Sequence, residues 1–480
     1  MLLSALAAAL PAAVTATVDP DVDVIDVTHD SRRVRRGSLF CCVRGATVDG
    51  HDFAAGALEA GAAALLCERP LPLDVAQLVV EDARRAMALA AAAVHGYPAT
   101  ALRMIGVTGT NGKTTTVAMV QAMLEANARR TAVIGTLSAH MPGGPPNTPE
   151  SSDLQALLAM RRDEGYDAVA MEVSSQALVQ ARVDAITYDV AAFTNLTQDH
   201  LDLHGTMERY FAAKAMLFTP ERARRAVVCV DDEWGARLAG LAEDAGVAVT
   251  RCSVRDLVVD ELDGPRASVR WHDARGVVNL AGEHNWANAV VAANIGEALG
   301  LSSQQALDGL ATLRVVPGRF EFVDAGQPFS VVVDYAHTPD GVEVALRAAR
   351  NAAGDGKQVV IVVGAGGDRD RAKRPLMAAT AERFADRVVL TSDNPRHEDP
   401  RAILEEMRTG LRDPSAVTFE VDRAAAIRAA LASASPGDVV LIAGKGHETT
   451  QTIGDEVVPF DDRVVARSVL DAMGYKANPA

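Results

Sequence analysis

A glycine-rich turn between an apolar run and a helical segment constrains the fold of this chain more than any other feature. The run from Leu102 to Val107 predicts a buried strand, and the segment from Thr115 to Glu125 predicts a helix. The turn between them reads Gly109-Thr110-Asn111-Gly112-Lys113-Thr114. In such a turn the free backbone N–H groups and the positive end of the helix dipole point at one spot. The pattern predicts a site for nucleotide phosphates, with ATP as the expected ligand.

Two side chains of this loop suit phosphate chemistry. Lys113 supplies a mobile cation for the outer phosphates, and the hydroxyl of Thr114 is a ligand for Mg²⁺. The strict phosphate-loop pattern has glycine where this chain has Val107, so the motif is a variant. The alternative is a glycine turn that precedes a lysine by coincidence. The strand before the loop and the helix after it favour the phosphate site.

Length and charge limit the class of protein. A chain of 480 residues exceeds one ordinary domain and predicts about two to four. The net charge of −16 repels polyanions, so we expect no nucleic-acid partner, although a nucleotide still fits a locally positive pocket. Because no apolar run is long enough to span a bilayer, we expect no membrane partner either.

The cysteines and the N-terminus indicate the compartment. None of the five cysteines forms a CxxC pair or a zinc-type spacing, which predicts reduced thiols in the cytoplasm. The apolar segment Met1–Ala13 lacks a basic start. It predicts a short helix packed on the first domain, with a signal peptide as the alternative.

Alternating strands and helices predict an α/β protein of three domains. The blocks are 1–100, 101–317 and 318–480, with a hinge at Val316-Pro317-Gly318. We expect a central P-loop domain with a parallel or mixed sheet and a Rossmann-like last domain. The predicted buried strands after the first are Ala132–Ile134, Ala168–Glu172, Val190–Phe193, Ala226–Val230, Ser330–Asp334, Gln358–Val363, Arg387–Thr391 and Asp438–Ala443.

Two segments of the central block carry acidic and imidazole groups after strands. Glu172 ends an apolar strand near the phosphate loop and suits Mg²⁺, although a solvated strand-end carboxylate is the alternative. The loop 195–205 holds Asp199, His200, Asp202 and His204. Such a cluster predicts metal or phosphate binding, with a capped helix start as the alternative.

Lys214 lies inside the apolar helical stretch Tyr210–Phe218. A lysine in this setting usually extends its amine to solvent. The alternative is that the amine has reacted with CO₂. The resulting carbamate is an anionic oxygen ligand, which suits a second Mg²⁺.

Four loops of the last block follow four predicted strands and are expected to converge on one crevice. They are 334–340, 364–371, 393–396 and 444–448. Arg369 and Arg396 have the geometry to clamp carboxylates, and Glu448 suits an amine. Taken singly, each loop is equally typical of a surface turn.

Together these motifs resemble the Mur ligase family, which joins amino acids to a UDP-linked muramyl peptide in bacterial peptidoglycan synthesis. The similarity runs nearly end to end. It rests on Asp30-Ser31-Arg32, 37–40, 49–51, 109–116, 172–175, 199–205, Lys214, 317–319, 334–337, 366–369, 393–396 and 444–448.

The resemblance implies a role for each block. The first block would bind the UDP part of the substrate, the central block ATP and Mg²⁺, and the last block the incoming amino acid. The implied UDP-substrate residues are Ser31, Thr47, Thr148, Ser174, Gln180 and Arg182. The implied ATP residues are Gly109, Thr110, Asn111, Gly112, Lys113, Thr114, Thr115, Asn288, Arg319, Asp334 and His337. The implied metal ligands are Thr114, Glu172, His200 and Lys214 as its carbamate. The implied catalytic residues are Lys113, Glu172, His200 and Lys214.

The resemblance also implies the reaction. ATP would activate the terminal carboxylate of UDP-N-acetylmuramoyl-L-alanyl-D-glutamate as an acyl phosphate, and an amine would then displace phosphate. Arg396 in the 393–396 loop favours meso-2,6-diaminopimelate, since its second carboxylate is absent from L-lysine. The implied amino-acid contacts are Arg369, Asp393, Asn394, Arg396, Gly444 and Glu448. A monomer is expected.

Several alternatives remain open. A lysine-adding ligase stays possible if Arg396 points away. The first block argues against folylpolyglutamate synthase, and the 393–396 and 444–448 loops argue against the D-alanyl-D-alanine-adding enzyme. A catalytically inactive nucleotide-binding scaffold is opposed by the joint presence of four residues, Lys113, Glu172, His200 and Lys214.

Overall fold

Three α/β domains follow one another along the chain, which confirms the expected fold class. The computed structural model describes residues 1–10, 14–16, 22–45, 47–139 and 147–476. The end of the predicted segment Met1–Ala13 and most of the predicted loop 142–149 lie outside these residues. Within the described ranges, no helix is both long and apolar enough to cross a bilayer.

The first domain is a five-stranded sheet in the order β1-β5-β4-β3-β2, parallel except for β1. Helix α1 buries Leu3 and Leu6 against this sheet, where a packed helix was predicted. The strands are β1 (Val14–Ala16), β2 (Asp26–Thr28), β3 (Ser38–Cys41), β4 (Ala62–Cys67) and β5 (Ala76–Val79). The helices are α1 (Leu3–Ala9), α2 (Ala54–Glu59) and α3 (Ala83–Val94).

The central domain is a six-stranded parallel sheet in the order β11-β10-β9-β6-β8-β7. Its strands are β6 (Arg103–Thr108), β7 (Thr131–Ile134), β8 (Ala168–Glu172), β9 (Val190–Phe193), β10 (Arg225–Cys229) and β11 (Ala248–Cys252). Its helices are α4 (Lys113–Ala126), α5 (Thr136–Ala139), α6 (Ser151–Asp163), α7 (Ser175–Val179), α8 (Leu201–His204), α9 (Met207–Ala215), α10 (Glu233–Asp244), α11 (Glu283–Ala298) and α12 (Ser303–Leu310).

The strand order of the central sheet brings the phosphate loop beside two other loops. Strand β6 lies between β8 and β9, with Val107 opposite Glu172 and Thr108 opposite Phe193. Because all three strands run in one direction, their carboxyl ends meet at one edge. The phosphate loop, Glu172 and the loop after β9 are therefore neighbours.

An antiparallel sheet in the central domain was not predicted. It consists of β12 (Leu257–Asp263), β13 (Arg266–Trp271) and β14 (Ala274–Val278). Alternate residues of β13, namely Ala267, Val269 and Trp271, are buried in the core that also contains α4 and α11. The signal was the alternation of apolar and polar residues, which is typical of a sheet with one solvated face.

The last domain is a six-stranded sheet in the order β15-β16-β20-β17-β18-β19, parallel except for β15. A hairpin, β21–β22, follows it. The strands are β15 (Glu321–Phe322), β16 (Ser330–Asp334), β17 (Val359–Val363), β18 (Arg387–Thr391), β19 (Thr418–Glu420), β20 (Val439–Ala443), β21 (Thr450–Ile453) and β22 (Glu456–Pro459). The helices are α13 (Pro339–Ala352), α14 (Lys373–Phe384), α15 (Pro400–Arg408), α16 (Arg423–Ala432) and α17 (Asp462–Ala472). The four predicted loops follow β16, β17, β18 and β20, which are consecutive in the sheet.

Candidate active site

A cavity of about 310 Å³ opens at the carboxyl edge of the central sheet, where the last domain faces it. It brings together residues that are far apart in sequence. The predicted site residues that line it are Thr110, Asn111, Gly112, Lys113, Thr114, Thr115, Glu172, Ser174, His200, Lys214, Asn288, Arg319, Asp334 and His337. A second cavity, of about 690 Å³, lies at the opposite edge of the sheet and contains none of the predicted residues.

Two lysines converge on the backbone of the phosphate loop. Lys113 Nζ donates to Gly109 O at 2.9 Å and Thr110 O at 2.8 Å. Lys214 Nζ donates to the same Gly109 O at 2.8 Å. Burial lowers the pKa of Lys113, and burial together with the Lys113 charge lowers the pKa of Lys214 well below its usual range. An anion beside this loop would therefore stabilise both ammonium groups.

Gly112 is required by the close approach of α11 to the loop. Its φ is +84°, and a Cβ there would lie 2.2 Å from Asn288 Oδ1. Asn288 is buried, and its Oδ1 accepts a hydrogen bond from Thr116 Oγ1 at 3.3 Å. The glycine thus lets the loop pack under the amide of Asn288.

Glu172 and Thr114 form a pair of oxygen ligands beside the phosphate loop. Thr114 Oγ1 donates to Glu172 Oε1 at 2.9 Å, and Arg319 Nη2 donates to Thr114 Oγ1 at 3.1 Å. Thr136 holds the carboxylate through its N–H at 2.7 Å and its hydroxyl at 3.1 Å. No group of three His, Cys, Asp or Glu residues in the described chain has metal-site geometry. The donor set suits Mg²⁺, which takes one or two carboxylates and completes its shell with phosphate and water.

The structure divides the predicted histidine–aspartate cluster. His200, at φ +54°, lines the cavity, with its Nε2 3.5 Å from Asp199 Oδ2. Burial lowers the pKa of His200. His204 instead points at Ser175 Oγ, with 2.9 Å between Nε2 and the hydroxyl. Asp202 is exposed, so only part of the cluster faces the cavity.

Lys214 is 1% exposed, which excludes the solvent-directed alternative. Its Nζ lies 4.5 Å from the ring centre of Tyr210. The ring of His204 stacks on that of Tyr210, with the two ring centroids 5.1 Å apart. Tyr210 OH is 3.3 Å from Thr110 Oγ1. The amine is therefore held between an aromatic ring and the phosphate loop.

The residues that follow the hinge complete the cavity wall. The Arg319 guanidinium lies 4.3 Å from the ring centre of Tyr335. Asp334 accepts hydrogen bonds from the N–H groups of Phe320 at 2.7 Å and Ala336 at 2.8 Å, and burial raises its pKa. Burial also lowers the pKa of His337 to about 4, so this imidazole is neutral at pH 7.

Contacts between the central and last domains were not predicted. Asp340 Oδ2 accepts hydrogen bonds from Asn111 Nδ2 at 3.0 Å and Thr197 Oγ1 at 3.2 Å. Lys373 Nζ lies 4.0 Å from Asp199 Oδ1. These pairs dock the last domain on the phosphate loop and on the loop after β9. Asp340 stands in a loop that the sequence singles out, whereas nothing in the sequence distinguishes Lys373.

Part of the predicted UDP-substrate set lies together at one end of the cavity. Thr148 Oγ1 donates to Glu172 O at 2.9 Å and accepts from Ser174 N at 3.2 Å. Arg182 Nη1 donates to Thr148 O at 3.0 Å. Gln180 Oε1 is buried and has no hydrogen-bond partner among the described residues. This end has several polar groups in place for a ligand.

The first domain packs beside this end. Arg33 pairs with Asp153 at 2.7 Å, and Arg84 pairs with Glu150 at 3.2 Å. Ser31 begins a 3₁₀ turn, and the exposed Thr47 lies in the loop after β3. No hydrogen bond in the described chain joins Ser31 or Thr47 to the other members of the UDP-substrate set.

Carboxylates of the last domain form the acidic side of a second crevice. Asp393 is buried, and its Oδ2 has no hydrogen-bond partner among the described residues. Gly444 has a φ of +115°, and a Cβ there would lie 2.5 Å from this oxygen. Glu448 Oε2 accepts from Asn394 Nδ2 at 2.8 Å and from Lys445 Nζ at 2.9 Å. Asp393 and Glu448 thus offer anionic acceptors for an amine.

Guanidinium groups form the basic side. Arg396 Nη1 donates to Gly367 O at 2.7 Å, and Arg369 Nη1 donates to Asp368 O at 3.2 Å. Burial, and then the charge of Arg369, lowers the pKa of Arg396. Because the two positive guanidinium groups lie close enough to repel each other, a carboxylate placed between them would be attracted by both. The crevice therefore suits a ligand that carries both ammonium and carboxylate groups.

A phosphate loop in contact with a domain whose loops carry paired guanidiniums and carboxylates is typical of a nucleotide-dependent ligase of the three-domain α/β class. Family models match three consecutive parts of the chain: "Mur ligase family, catalytic domain" over 24–106, "Mur ligase middle domain" over 107–296 and "Mur ligase, glutamate ligase domain" over 318–446. The chain belongs to the Mur ligase family.

Individual relatives are similar over nearly the whole length. The UDP-N-acetylmuramoyl-L-alanyl-D-glutamate--2,6-diaminopimelate ligase of Geobacillus kaustophilus is 45% identical, across 94% of this chain and 96% of its own. The enzyme of the same name from Streptomyces coelicolor is 47% identical, across 95% and 94%. A solved structure of a ligase with this name is 32% identical, with a TM-score of 0.69, and the match covers 99% of this chain and 100% of that one.

Proposed function

We propose that this chain is an ATP-dependent amide ligase of peptidoglycan synthesis. It adds meso-2,6-diaminopimelate to UDP-N-acetylmuramoyl-L-alanyl-D-glutamate in the cytoplasm, acting as a monomer. The observation that carries the proposal is the pairing of the lysine-lined phosphate loop with a crevice that has guanidiniums on one side and carboxylates on the other. The relatives that share most of this chain's length are named for the same reaction.

The three blocks divide the work in this proposal. Block 1–100 binds the UDP portion, with Ser31 and Thr47 near it, while Thr148 and Arg182 hold the muramyl portion. Block 101–317 binds ATP, and block 318–480 binds the amino acid. The domain contacts through Asp340 support this arrangement, because they bring the amino-acid domain onto the phosphate loop.

The first chemical step requires two anions to meet. A carboxylate oxygen of the substrate attacks the γ-phosphorus of ATP, the bond from that phosphorus to the β–γ bridging oxygen breaks, and ADP leaves an acyl phosphate behind. Lys113 and the loop N–H groups offset the charge on the transferring group. The buried Lys214 lies on the same loop carbonyl, close to where this charge develops.

The second step forms the amide bond. The neutral amine attacks the carbonyl carbon of the acyl phosphate, the C–O bond to phosphate breaks, and the proton lost by the nitrogen passes to the released phosphate. Glu448 and Asp393 hold the ammonium group that does not react, while Arg369 and Arg396 hold the carboxylates of the amino acid. Closing the last domain onto the central one excludes water, which would otherwise hydrolyse the acyl phosphate.

Thr114, Glu172 and His200 would hold Mg²⁺, and the ion would neutralise phosphate oxygens when bound. The fit rests on the adjacent oxygens of Thr114 and Glu172, which line the same cavity as His200. Lys214 would carry a carbamate, formed when its neutral amine bonds to the carbon of CO₂ and loses a proton. Its complete burial supports this modification, since an unpaired buried ammonium is costly whereas a carbamate beside a cation is satisfied.

The proposal is tested by phosphate release from the purified protein with ATP, Mg²⁺ and UDP-N-acetylmuramoyl-L-alanyl-D-glutamate. Three reactions contain meso-diaminopimelate, L-lysine or no amino acid. We expect efficient release only with diaminopimelate, together with the matching mass gain of the UDP product, and a much lower rate with L-lysine. Release with lysine at a comparable rate would keep the ligase reaction and overturn the role of Arg396. ATP binding without release would favour the inactive scaffold.

A further inference from the structure

Lys445 lies under the acidic side of the amino-acid crevice, and no step described above uses it. Its side chain is 0% exposed. Nζ donates to Thr450 O at 2.6 Å, Glu448 Oε2 at 2.9 Å and Asn394 Oδ1 at 3.3 Å. An ammonium has three protons, so each is used within the protein. Lys445 therefore serves its neighbours and has no donor left for a ligand.

The amide of Asn394 is saturated in the same way. Its Oδ1 accepts from Lys445 and from the N–H of Thr452 at 3.0 Å. Its Nδ2 donates to Asp393 Oδ1 at 3.1 Å and to Glu448 Oε2 at 2.8 Å. Since Lys445 can only donate, it determines which end of the amide is oxygen. The amide nitrogen consequently faces the two carboxylates.

These contacts divide the oxygens of Glu448 between two tasks. Oε2 receives hydrogen bonds from both Lys445 and Asn394, whereas Oε1 receives none from the described residues. The side chain of Glu448 remains 22% exposed. One oxygen is thus fixed by the protein, and the other has no hydrogen bond from the described residues.

We infer that Lys445 is a positioning residue that holds Glu448 with Oε1 turned toward an ammonium of the incoming amino acid. The inference deepens the proposed function and rests on it. The competing explanation is that Lys445 only ties the 444–450 turn together through Thr450 O. The two explanations differ in whether the effect of Lys445 passes through Glu448.

A double-mutant cycle separates them. The variants are Lys445→Met, Glu448→Gln and the double variant, with kcat and KM measured for diaminopimelate and KM measured for ATP. Lys445→Met should raise KM for diaminopimelate about 30-fold or more, because truncating one partner of a buried charge pair leaves the other misplaced. KM for ATP should change less than about threefold, and adding Lys445→Met to Glu448→Gln should cost little more.

Controls keep the outcome interpretable. Lys357→Met removes an exposed lysine of the same domain and should leave both KM values unchanged. Lys445→Gln retains a donor for Thr450 O without the positive charge, and it replaces Lys445→Met in the cycle if that variant melts below the assay temperature. The inference would be overturned if the fold-increases in KM for diaminopimelate of the two single variants multiplied in the double variant. It would also be overturned if KM for ATP rose in parallel. A wild-type protein that shows no diaminopimelate-dependent phosphate release would instead overturn the proposed function.

Discussion

Replacing Arg396 with alanine should remove the preference for diaminopimelate while leaving ATP use intact. The Arg396 backbone is fixed by two hydrogen bonds, from its N–H to Thr452 O at 3.0 Å and from Gly454 N–H to its carbonyl at 2.6 Å. One N–H group of its guanidinium donates to Gly367 O. The remaining donors are available for a carboxylate in a partly desolvated crevice.

The size of the effect follows from that setting. Truncating one partner of a buried, hydrogen-bonded charge pair costs about 2–5 kcal/mol, and each 1.4 kcal/mol is about tenfold. We therefore expect kcat/KM for diaminopimelate to fall at least about 30-fold. L-Lysine has no second carboxylate, so its kcat/KM should change less than about threefold. The ratio of kcat/KM for diaminopimelate to kcat/KM for L-lysine should therefore fall by about the same factor as kcat/KM for diaminopimelate.

The assay is phosphate release with each amino acid at saturating ATP, followed by KM for ATP at saturating diaminopimelate. Arg401→Ala is the matched control, since Arg401 is an exposed arginine of the same domain at the start of α15. It should behave like the wild type. If Arg396→Ala weakened diaminopimelate and ATP equally, or diaminopimelate and lysine equally, the contact between Arg396 and the second carboxylate would be refuted.

Three further predictions concern the central domain and its contact with the last one. Lys214→Ala should abolish phosphate release, and a short carboxylic acid in the buffer should restore part of it; no restoration would argue against a carbamate. Asp340→Ala removes the acceptor of the Thr197 hydroxyl and one of the two acceptors of Asn111 Nδ2, so it should weaken domain docking by about 1–3 kcal/mol and raise KM for ATP. Because burial lowers the folded-state pKa of His337 to about 4, the unfolded chain binds more protons below pH 6.5. The part of the folding stability that depends on neutral His337 is fully present above pH 6.5 and is lost as the pH falls toward 4. Urea unfolding of His337→Gln should therefore show a shallower loss over this interval than the wild type, and identical slopes would contradict the assignment.

The sequence predicts the parallel sheets well because buried strands are short, uniformly apolar and bounded by turns. The predicted strands Ala168–Glu172, Val190–Phe193, Ser330–Asp334 and Arg387–Thr391 have the bounds of β8, β9, β16 and β18. The phosphate-loop strand begins and ends one residue later than predicted. Because these sequence signals are local, the strands can be predicted without knowledge of the tertiary fold.

Strand order cannot be obtained from such local signals. The insertion of β6 between β8 and β9 brings Glu172 to Thr114, and the insertion of β20 between β16 and β17 brings Glu448 into the crevice. The contacts of Asp340 with Asn111 in the phosphate loop and with Thr197 in the loop after β9 span 229 and 143 positions of sequence. Proximity in sequence also misleads, since His200 and His204 are close in the chain but serve different neighbours.

Asn394 illustrates how a motif identifies a residue without its task. The family resemblance implies that Asn394 contacts the amino acid, and that contact stays a prediction. In the structure, the donors and acceptor of its side chain are engaged with Lys445, Glu448, Asp393 and the backbone of Thr452. A side-chain contact with the ligand would require one of these bonds to break, at a cost that the ligand must offset. The same network explains why Lys445, which cannot reach the ligand, stands within the 444–448 motif: an acidic acceptor for an amine is useful only when its orientation is fixed before the amine arrives.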